Sequence, residues 1–179
     1  DFREHPVSQL IAEVFELHDK ERFETFAFSF GPDIQDEMRA RVARTFDEFI
    51  DVRMMSDKDI ARLSREKGID IAVDLMGFST HSRTGIFCHR AAPAQVNYLG
   101  YPGTMSAPYM DYIVGDTTVI PEEDASHYSE VVVYLPYCYQ PNDNKRQISE
   151  RPFPRDALGL PVGGFVFCCF NNSYKITPQ

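Results

Sequence analysis

Helix-like and strand-like stretches alternate along most of this chain. Apolar residues recur at helical spacing over residues 8–18, and aromatic and polar residues alternate over 23–30, as in a strand. Similar stretches follow one another as far as residue 135. This order predicts an α/β fold with a mainly parallel sheet, flanking helices and right-handed crossovers.

The individual elements follow from the same pattern. The predicted strands are 23–30, 49–54, 69–76, 94–99, 109–114 and 131–135. The predicted helices are 8–18, 34–45, 60–67 and 83–90, with a short helical or turn segment after Pro121. The run 69–76 has the clearest pattern of a buried strand, and we expect it to be buried.

A constrained turn separates the strands predicted at 94–99 and 109–114. Its sequence is Gly100-Tyr101-Pro102-Gly103-Thr104. Glycine allows positive φ, and proline fixes φ and removes one backbone donor, so such a turn can bring bare backbone close to a ligand. Ligands of open α/β sheets lie just past the carboxyl ends of strands. We therefore predict that this turn forms one wall of an active site.

The chain changes character after residue 135. Residues 136–160 are polar and rich in proline, which is typical of a connector, and 155–160 is expected to be a turn or short helix. A fresh apolar run, 164–170, predicts a strand that begins a second domain. It contains Cys168 and Cys169, which we expect to be small buried hydrophobic residues.

Charge and cysteine content narrow the possible functions. The formal net charge of −9 argues against a general nucleic-acid surface, which needs clustered Lys and Arg. The four cysteines have neither C-x-x-C spacing nor a nearby pair of histidines, which argues against a zinc site and favours reduced thiols in a cytoplasmic compartment. The sequence has no signal peptide and no apolar stretch long enough to span a bilayer, so no membrane partner is expected.

Several short motifs occur in order along the chain. They are Asp1-Phe2-x-x-His5-Pro6, Gly68-Ile69-x-Ile71 with Gly77, Arg90-x-Ala92-Pro93-x-Gln95, Leu99-Gly100-Tyr101-Pro102-Gly103-Thr104, Met110-Asp111-Tyr112-Ile113, Tyr128-Ser129-Glu130, Leu135-Pro136 and Phe170-Asn171-x-x-Tyr174-Lys175-Ile176. In this order they resemble the catalytic region of O-linked N-acetylglucosamine transferases and their bacterial relatives. Each motif alone is a weak signal. Together they span nearly the whole chain, and that makes the resemblance strong.

The resemblance implies a fold and a division of the chain. Enzymes of this family are similar to GT-B glycosyltransferases, in which two Rossmann-like lobes face each other across a cleft, and tetratricopeptide repeats often precede them. By this resemblance, residues 1–135 form the N-terminal catalytic lobe without its first strand, and 136–160 the connector. Residues 161–179 would be the first strand and helix start of the nucleotide-binding lobe, so the chain is expected to be a fragment that is inactive alone.

The resemblance also implies a reaction and a substrate. The family's enzymes resemble inverting glycosyltransferases that need no metal or other cofactor. Such an enzyme would move a sugar, by resemblance N-acetylglucosamine from UDP, to a Ser or Thr hydroxyl of a protein or peptide. Relatives that use a fucose or glucose donor, and a catalytically silent α/β interaction domain, are the alternatives.

Three residues match catalytic positions of the family. His5 corresponds to the histidine beside donor and acceptor, and Asp1 to an aspartate proposed to accept a proton through water. From the sequence alone, a cap on the following helix is the favoured role of His5, and the motif match reverses that preference. Lys175 corresponds to the lysine that stabilises the leaving nucleotide diphosphate, although without the match it would be an ordinary surface lysine.

Five further residues match positions that bind the donor. Leu99, Gly100 and Pro102 correspond to the wall of the sugar pocket, largely through backbone. Tyr174 and Asn172 correspond to neighbouring donor contacts, although the family commonly has Gln where Asn172 stands.

Two further expectations concern metal and self-association. Asp57 and Asp59 have the D-x-D spacing of metal-dependent glycosyltransferases, but their place after Ser56 and before a helix favours a capping role, and no metal site is predicted. A sheet that lacks a strand exposes unpaired edges, so the fragment is expected to associate with itself.

Overall fold

The computed structural model describes residues 2–170 and divides the chain into two units, one ending at Lys145 and the other beginning at Arg146. The helices of the first unit are α1 (Pro6–Glu16), α2 (Glu37–Ala43), α3 (Asp57–Glu66) and α4 (Gly85–Cys88), and a 3-10 helix spans Glu122–His127. The strands are β1 (Phe26–Ser29), β2 (Glu48–Asp51), β3 (Ile71–Asp74), β4 (Ala94–Asn97), β5 (Tyr112–Gly115) and β6 (Val131–Tyr134). Every predicted strand up to residue 135 is present, at four residues each.

All strand pairs are parallel, which confirms the predicted sheet. Strands β1 and β2 form a two-stranded sheet, and β3, β4, β5 and β6 form a four-stranded sheet in that order. Neighbours in sequence are therefore neighbours in the sheet, as right-handed crossovers through helices allow. The carboxyl ends of β3 to β6 lie along one edge of their sheet, where loops can build a site.

Local sequence signals explain how the helices begin. Pro6 stands in the first turn of α1, where its missing N–H costs nothing, and the His5 side chain caps that helix. The Ser56 hydroxyl accepts a hydrogen bond from the Asp59 N–H at 3.2 Å, which is the predicted cap of α3. A side-chain cap of this kind stabilises a helix by about 1 kcal/mol.

The main core packs helices α3 and α4 against loops that follow the four-stranded sheet. Its buried residues are Val52, Ile60, Ala61, Ile86, Phe87, Ala91, Met105, Ala107 and Met110. Ile60 is 1% exposed, and burying such a side chain contributes roughly 1.5–3 kcal/mol. Met105 and Met110 both lie in the loop between β4 and β5, so the core fixes that loop.

The strand expected to be the best buried is open on one side. Ile71 is 59% exposed and Val73 is 47% exposed, so the prediction of a fully buried strand is wrong. Both line a cavity of about 740 Å³ that β1 also lines with Phe26 and Phe28. The free edges of β1 and β3 border this cavity, and no strand of residues 2–170 pairs with either edge there. We name this space the edge groove.

The start of the predicted connector packs on the first unit. The Asp143 carboxylate, 1% exposed, pairs with Arg41, and the Asn144 N–H donates to Glu13 at 2.7 Å. The Tyr98 hydroxyl donates to the Tyr139 carbonyl at 2.8 Å. Residues 136–145 therefore belong structurally to the first unit.

The second unit has no helix or strand among its described residues, 146–170. The strand predicted at 164–170 is absent there, and Cys168 and Cys169 are exposed, so both predictions are wrong. A strand needs a neighbour to satisfy its N–H and C=O groups, and the described part of this unit supplies none. The turn expected at 155–160 is present, and Arg155 donates to the Pro161 and Gly164 carbonyls.

Candidate active site

Two neighbouring strands end together at the carboxyl edge of the larger sheet. Asp74 ends β3 and Asn97 ends β4, and the two residues are direct partners in the parallel register. The loops that follow must therefore emerge side by side. One begins at Leu75 and contains Gly77, and the other is the predicted turn that contains Gly100.

Glycine is required where these two loops touch. A Cβ on Gly100 would lie 2.0 Å from the Leu75 carbonyl oxygen, and a Cβ on Gly77 would lie 2.4 Å from the Tyr101 Cβ. Gly77 also has a φ of 55°, which favours glycine. The two loops are thus packed backbone against backbone.

The three predicted sugar-wall residues lie on one continuous stretch of this turn. Leu99 is 7% exposed and has a φ of 71°, which is rare for a branched residue. Gly100 is half-buried and Pro102 is exposed. The Leu99 side chain is buried, so any contact of this residue with a ligand would have to use its backbone. The donor-binding role stays a prediction.

Asn97 closes the turn, a role that the sequence reasoning missed. Its Nδ2 donates to the Tyr101 carbonyl at 3.0 Å and to the Gly103 carbonyl at 3.2 Å. The side chain is fully buried, and its Oδ1 has no hydrogen-bond partner among the described residues. A polar residue at the end of an apolar strand was the available signal.

Glu130 anchors the far end of the same turn. Its carboxylate is 4% exposed and accepts from the Met105 N–H and the Thr104 hydroxyl, both at 2.6 Å. The motif residue Glu130 therefore holds the turn to the loop before β6.

Arg90 and Gln95 build the support beneath the turn. The Gln95 amide, fully buried, accepts from the Ala91 N–H at 2.7 Å and donates to the Phe87 carbonyl at 2.9 Å. Arg90 donates to the Tyr109 carbonyl at 3.2 Å and pairs with Asp111. The polar groups of Arg90 and Gln95 bond to the protein itself, so these contacts give both residues a structural role.

Asp74 is a buried carboxyl at the base of the two loops. It is 5% exposed, and its Oδ1 accepts from the Met76 N–H at 2.9 Å. Burial raises the pKa of Asp74, and hydrogen bonds from the backbone of Met76 and Gly77 offset only part of that rise. The sequence reasoning gave this residue no role.

His5 lies at the start of α1 and has the capping geometry that the sequence left open. Its Nδ1 accepts from the Val7 N–H at 3.3 Å. Burial lowers the pKa of His5, and the positive charge of Arg3 lowers it further. A neutral ring whose Nδ1 accepts carries its proton on Nε2. The catalytic role of His5 stays a prediction.

Four predicted site residues fall outside the part of the chain that the structure describes. They are Asp1, Asn172, Tyr174 and Lys175. Their roles stay predictions. Phe2, which is described, lines the edge groove together with Met76 and Tyr98.

The D-x-D sequence has the predicted capping role. Asp59 bonds to Ser56, and Asp57 pairs with Arg83, whose Nε lies 2.7 Å from its Oδ1. Across residues 2–170, no cluster of three His, Cys, Asp or Glu residues has metal-binding geometry.

In the same residues, no helix has both the length and the apolar character needed to cross a membrane.

These features define a Rossmann-like parallel α/β lobe. At its carboxyl edge lies a preformed loop pair, the two packed loops that contain Gly77 and Gly100. The model of Glycosyl transferase family 41 matches residues 1–151, so the chain belongs to that family. This confirms the family resemblance drawn from the motifs.

Comparison with individual relatives supports the same family. The chain is 39% identical, over all of its length, to 19% of a probable UDP-N-acetylglucosamine–peptide N-acetylglucosaminyltransferase SEC of Arabidopsis thaliana. It is 29% identical, over 83% of its length, to 13% of the enzyme named UDP-N-acetylglucosamine–peptide N-acetylglucosaminyltransferase of Caenorhabditis elegans.

A solved structure supports the fold. An O-GlcNAc transferase mutant of Thermobaculum terrenum matches 79% of this chain with a TM-score of 0.74 and 34% sequence identity. The match confirms the predicted lobe of a GT-B glycosyltransferase. The chain spans 27% of that structure and about a fifth or less of the curated relatives described above.

Proposed function

We propose that the protein containing this chain transfers a sugar from a nucleotide donor to a protein hydroxyl. The observation that carries the proposal is the preformed loop pair, in which Gly77 and Gly100 bring bare backbone to the carboxyl edge of a sheet in a family 41 chain. The names of the relatives support UDP-N-acetylglucosamine as donor and a peptide as acceptor. A cytoplasmic location fits such an acceptor.

The proposed reaction is a single displacement with inversion. The acceptor hydroxyl oxygen bonds to the anomeric carbon while the bond from that carbon to the UDP oxygen breaks. The hydroxyl proton passes to a base, for which Asp1 acting through water is the candidate. UDP leaves with the electron pair of the broken bond.

His5 and the turn would hold the reacting groups. The Nε2–H of neutral His5 suits a hydrogen bond to an oxygen of donor or acceptor, and its low pKa keeps the ring neutral near pH 7. Leu99, Gly100 and Pro102 would bound the sugar, with Asn172 and Tyr174 as further donor contacts. No metal is needed for these steps.

Lys175 would supply the charge that a metal supplies in other glycosyltransferases. A cation aimed at the diphosphate stabilises the negative charge that grows as UDP leaves. Lys175→Met in the full-length protein should therefore lower kcat by at least about 100-fold, since removal of one such electrostatic contact costs about that much. Release of UDP from UDP-N-acetylglucosamine, with and without an acceptor peptide, measures it.

The control for this test is Lys145→Met. Lys145 pairs with Glu16 at 2.7 Å within the first unit, and its loss should leave kcat within about twofold. Equal activity of the Lys175→Met variant and the wild type would overturn the assigned role of Lys175.

Two further measurements separate the alternatives. Calorimetric titration of the full-length protein with UDP should show binding, whereas no heat at millimolar UDP would favour a silent interaction domain. A panel of nucleotide sugars should rank UDP-N-acetylglucosamine first, and preference for a fucose or glucose donor would reassign the substrate. Residues 1–179 alone are expected to transfer no sugar.

A further inference from the structure

Two buried side chains lie at the base of the loop pair, one with an acceptor that lacks a donor and the other a carboxyl that burial favours in its protonated form. Asn97 is fully buried, and its Oδ1 lacks a donor among the described residues. Asp74 is 5% exposed, and burial raises its pKa more than its hydrogen bonds lower it. A buried acceptor without a donor and a buried carboxylate are each unfavourable.

The orientation of the Asn97 amide is fixed by its own contacts. Its Nδ2 faces two carbonyl oxygens, those of Tyr101 and Gly103, at 3.0 and 3.2 Å. A flipped amide would place its oxygen against both carbonyls and lose two hydrogen bonds. The unpartnered atom is therefore the amide oxygen, which can only accept.

Asp74 is placed to supply the missing donor. The two residues are register partners on adjacent parallel strands, so their side chains leave the same face of the sheet about 5 Å apart at the backbone. The Asp74 Oδ1 accepts from the Met76 N–H, and the Gly77 N–H donates to the same carboxyl. We assign the proton to Oδ2, because a protonated oxygen keeps a lone pair that can still accept. A protonated carboxyl has one donor and needs no counter-ion.

We propose that Asp74 is held as the neutral acid and donates its proton to the Asn97 Oδ1. One proton then satisfies both groups. Because Asp74 also binds the backbone after β3 and Asn97 binds the turn after β4, the shared hydrogen bond couples the Gly77 loop to the Gly100 turn. Asp74 and Asn97 are positioning residues, and this part of the inference rests on the proposed function.

Infrared spectroscopy of the full-length protein tests the proton without any assay of activity. The difference spectrum between wild type and Asp74→Asn should contain a carboxylic-acid C=O band at pH 7. A difference spectrum with carboxylate bands only would mean that Asp74 is ionised, and would overturn the proposal.

Two isosteric variants test the coupling. In Asp74→Asn, the new amide can donate to Asn97 and still accept from Met76, so kcat should stay within about threefold of wild type. In Asn97→Asp, an oxygen replaces the Nδ2 that faces two carbonyls, so kcat should fall by about 100-fold, the loss typical of a misplaced reactive group. The KM for the donor should change much less.

The outcomes are distinguishable from a failure of the proposed function. If Asp74→Asn loses as much kcat as Asn97→Asp, Asp74 works as an anion and the inference is wrong. If the wild type transfers no sugar at all, the proposed function fails, while the infrared result still decides whether the two residues share a proton.

Discussion

The two edges of β3 are built in opposite ways. Toward β4, the strand has four register partners, and the loops beyond it are locked by Gly77 and Gly100. Toward β1, the same strand borders the edge groove, and Ile71 and Val73 remain about half exposed. Strand pairing and close packing hold the first edge.

Ion pairs brace the elements around the open edge instead. Helix α1 lines the edge groove with Ile11 and Phe15. Arg41 of α2 joins Glu16 of α1, at 2.8 Å from its Nε, to the buried Asp143. The comparison teaches that the candidate site depends on the closed edge, whereas the open side relies on charges that pH and salt can weaken.

The closed edge should be the more sensitive to a single methyl group. Gly100→Ala places a Cβ 2.0 Å from the Leu75 carbonyl, so the loops must separate, and we expect a loss of about 3 kcal/mol in the free energy of unfolding. Urea denaturation followed by circular dichroism measures it. Gly68→Ala is the control, because Gly68 has a φ of 72° but open space around it, and should cost about 1 kcal/mol. Equal losses in the two variants would mean that the loops are not tightly packed.

The open side should be the more sensitive to acid. Hydrogen bonds from Arg41 are the main cause that lowers the pKa of Glu16 from 4.5 to about 2, and the Arg41 guanidinium also lowers the pKa of Asp143. Because the folded pKa is below the unfolded one, this stabilisation is complete above about pH 5 and is lost as the pH falls toward 2.

Removing the arginine should flatten that pH dependence. Arg41→Gln should lower the free energy of unfolding by about 1–2 kcal/mol at pH 7 and by much less at pH 2.5. Thermal unfolding across this pH range measures it. Arg62→Gln, at a pair whose side chains are 62% and 41% exposed, is the control and should change little at any pH. A pH profile for Arg41→Gln parallel to that of wild type would contradict the bracing role.

The open edge should make the chain associate with itself, as the sequence analysis predicted. An unpaired apolar strand edge is a template for a strand of another copy. Val73→Lys should reduce the association seen by light scattering at raised concentration, and should change the free energy of unfolding by about 0.5 kcal/mol or less.

The matched control lies at the other end of the same sheet. Val131 of β6 is 63% exposed, so Val131→Lys adds the same charge at the opposite edge strand. Association that falls with Val131→Lys and not with Val73→Lys would show that β6, rather than the edge groove, is the contact surface.

Local signals in the sequence predicted local structure well. The cap at Ser56 depends on residues three apart, and the tight turn at Gly100 is encoded by its own glycines and proline. The parallel direction of the strands followed from the alternation of strand-like and helix-like stretches. Membership of the family followed from motifs that lie in order along the chain.

Features that depend on distant partners were not predictable in the same way. The apolar residues around Val73 indicate that the strand can be buried. Whether it is buried depends on a neighbouring element at the edge groove, which the sequence of the strand itself does not encode. Residues 164–170 are also apolar, but they form no strand, because a strand needs a partner strand and the described part of their unit has none. The pairing of Asp74 with Asn97 is a register between strands, which spacing along one strand cannot reveal.

The cap on α1 depends on the protonation state of His5. Nδ1 of His5 holds the Val7 N–H only while that nitrogen has no proton of its own. A proton delivered to Nδ1 would release the Val7 N–H and let the first turn of α1 fray. The lowered pKa of His5 places this exchange on the acid side of pH 6.5, so the helix start would report the charge of the ring.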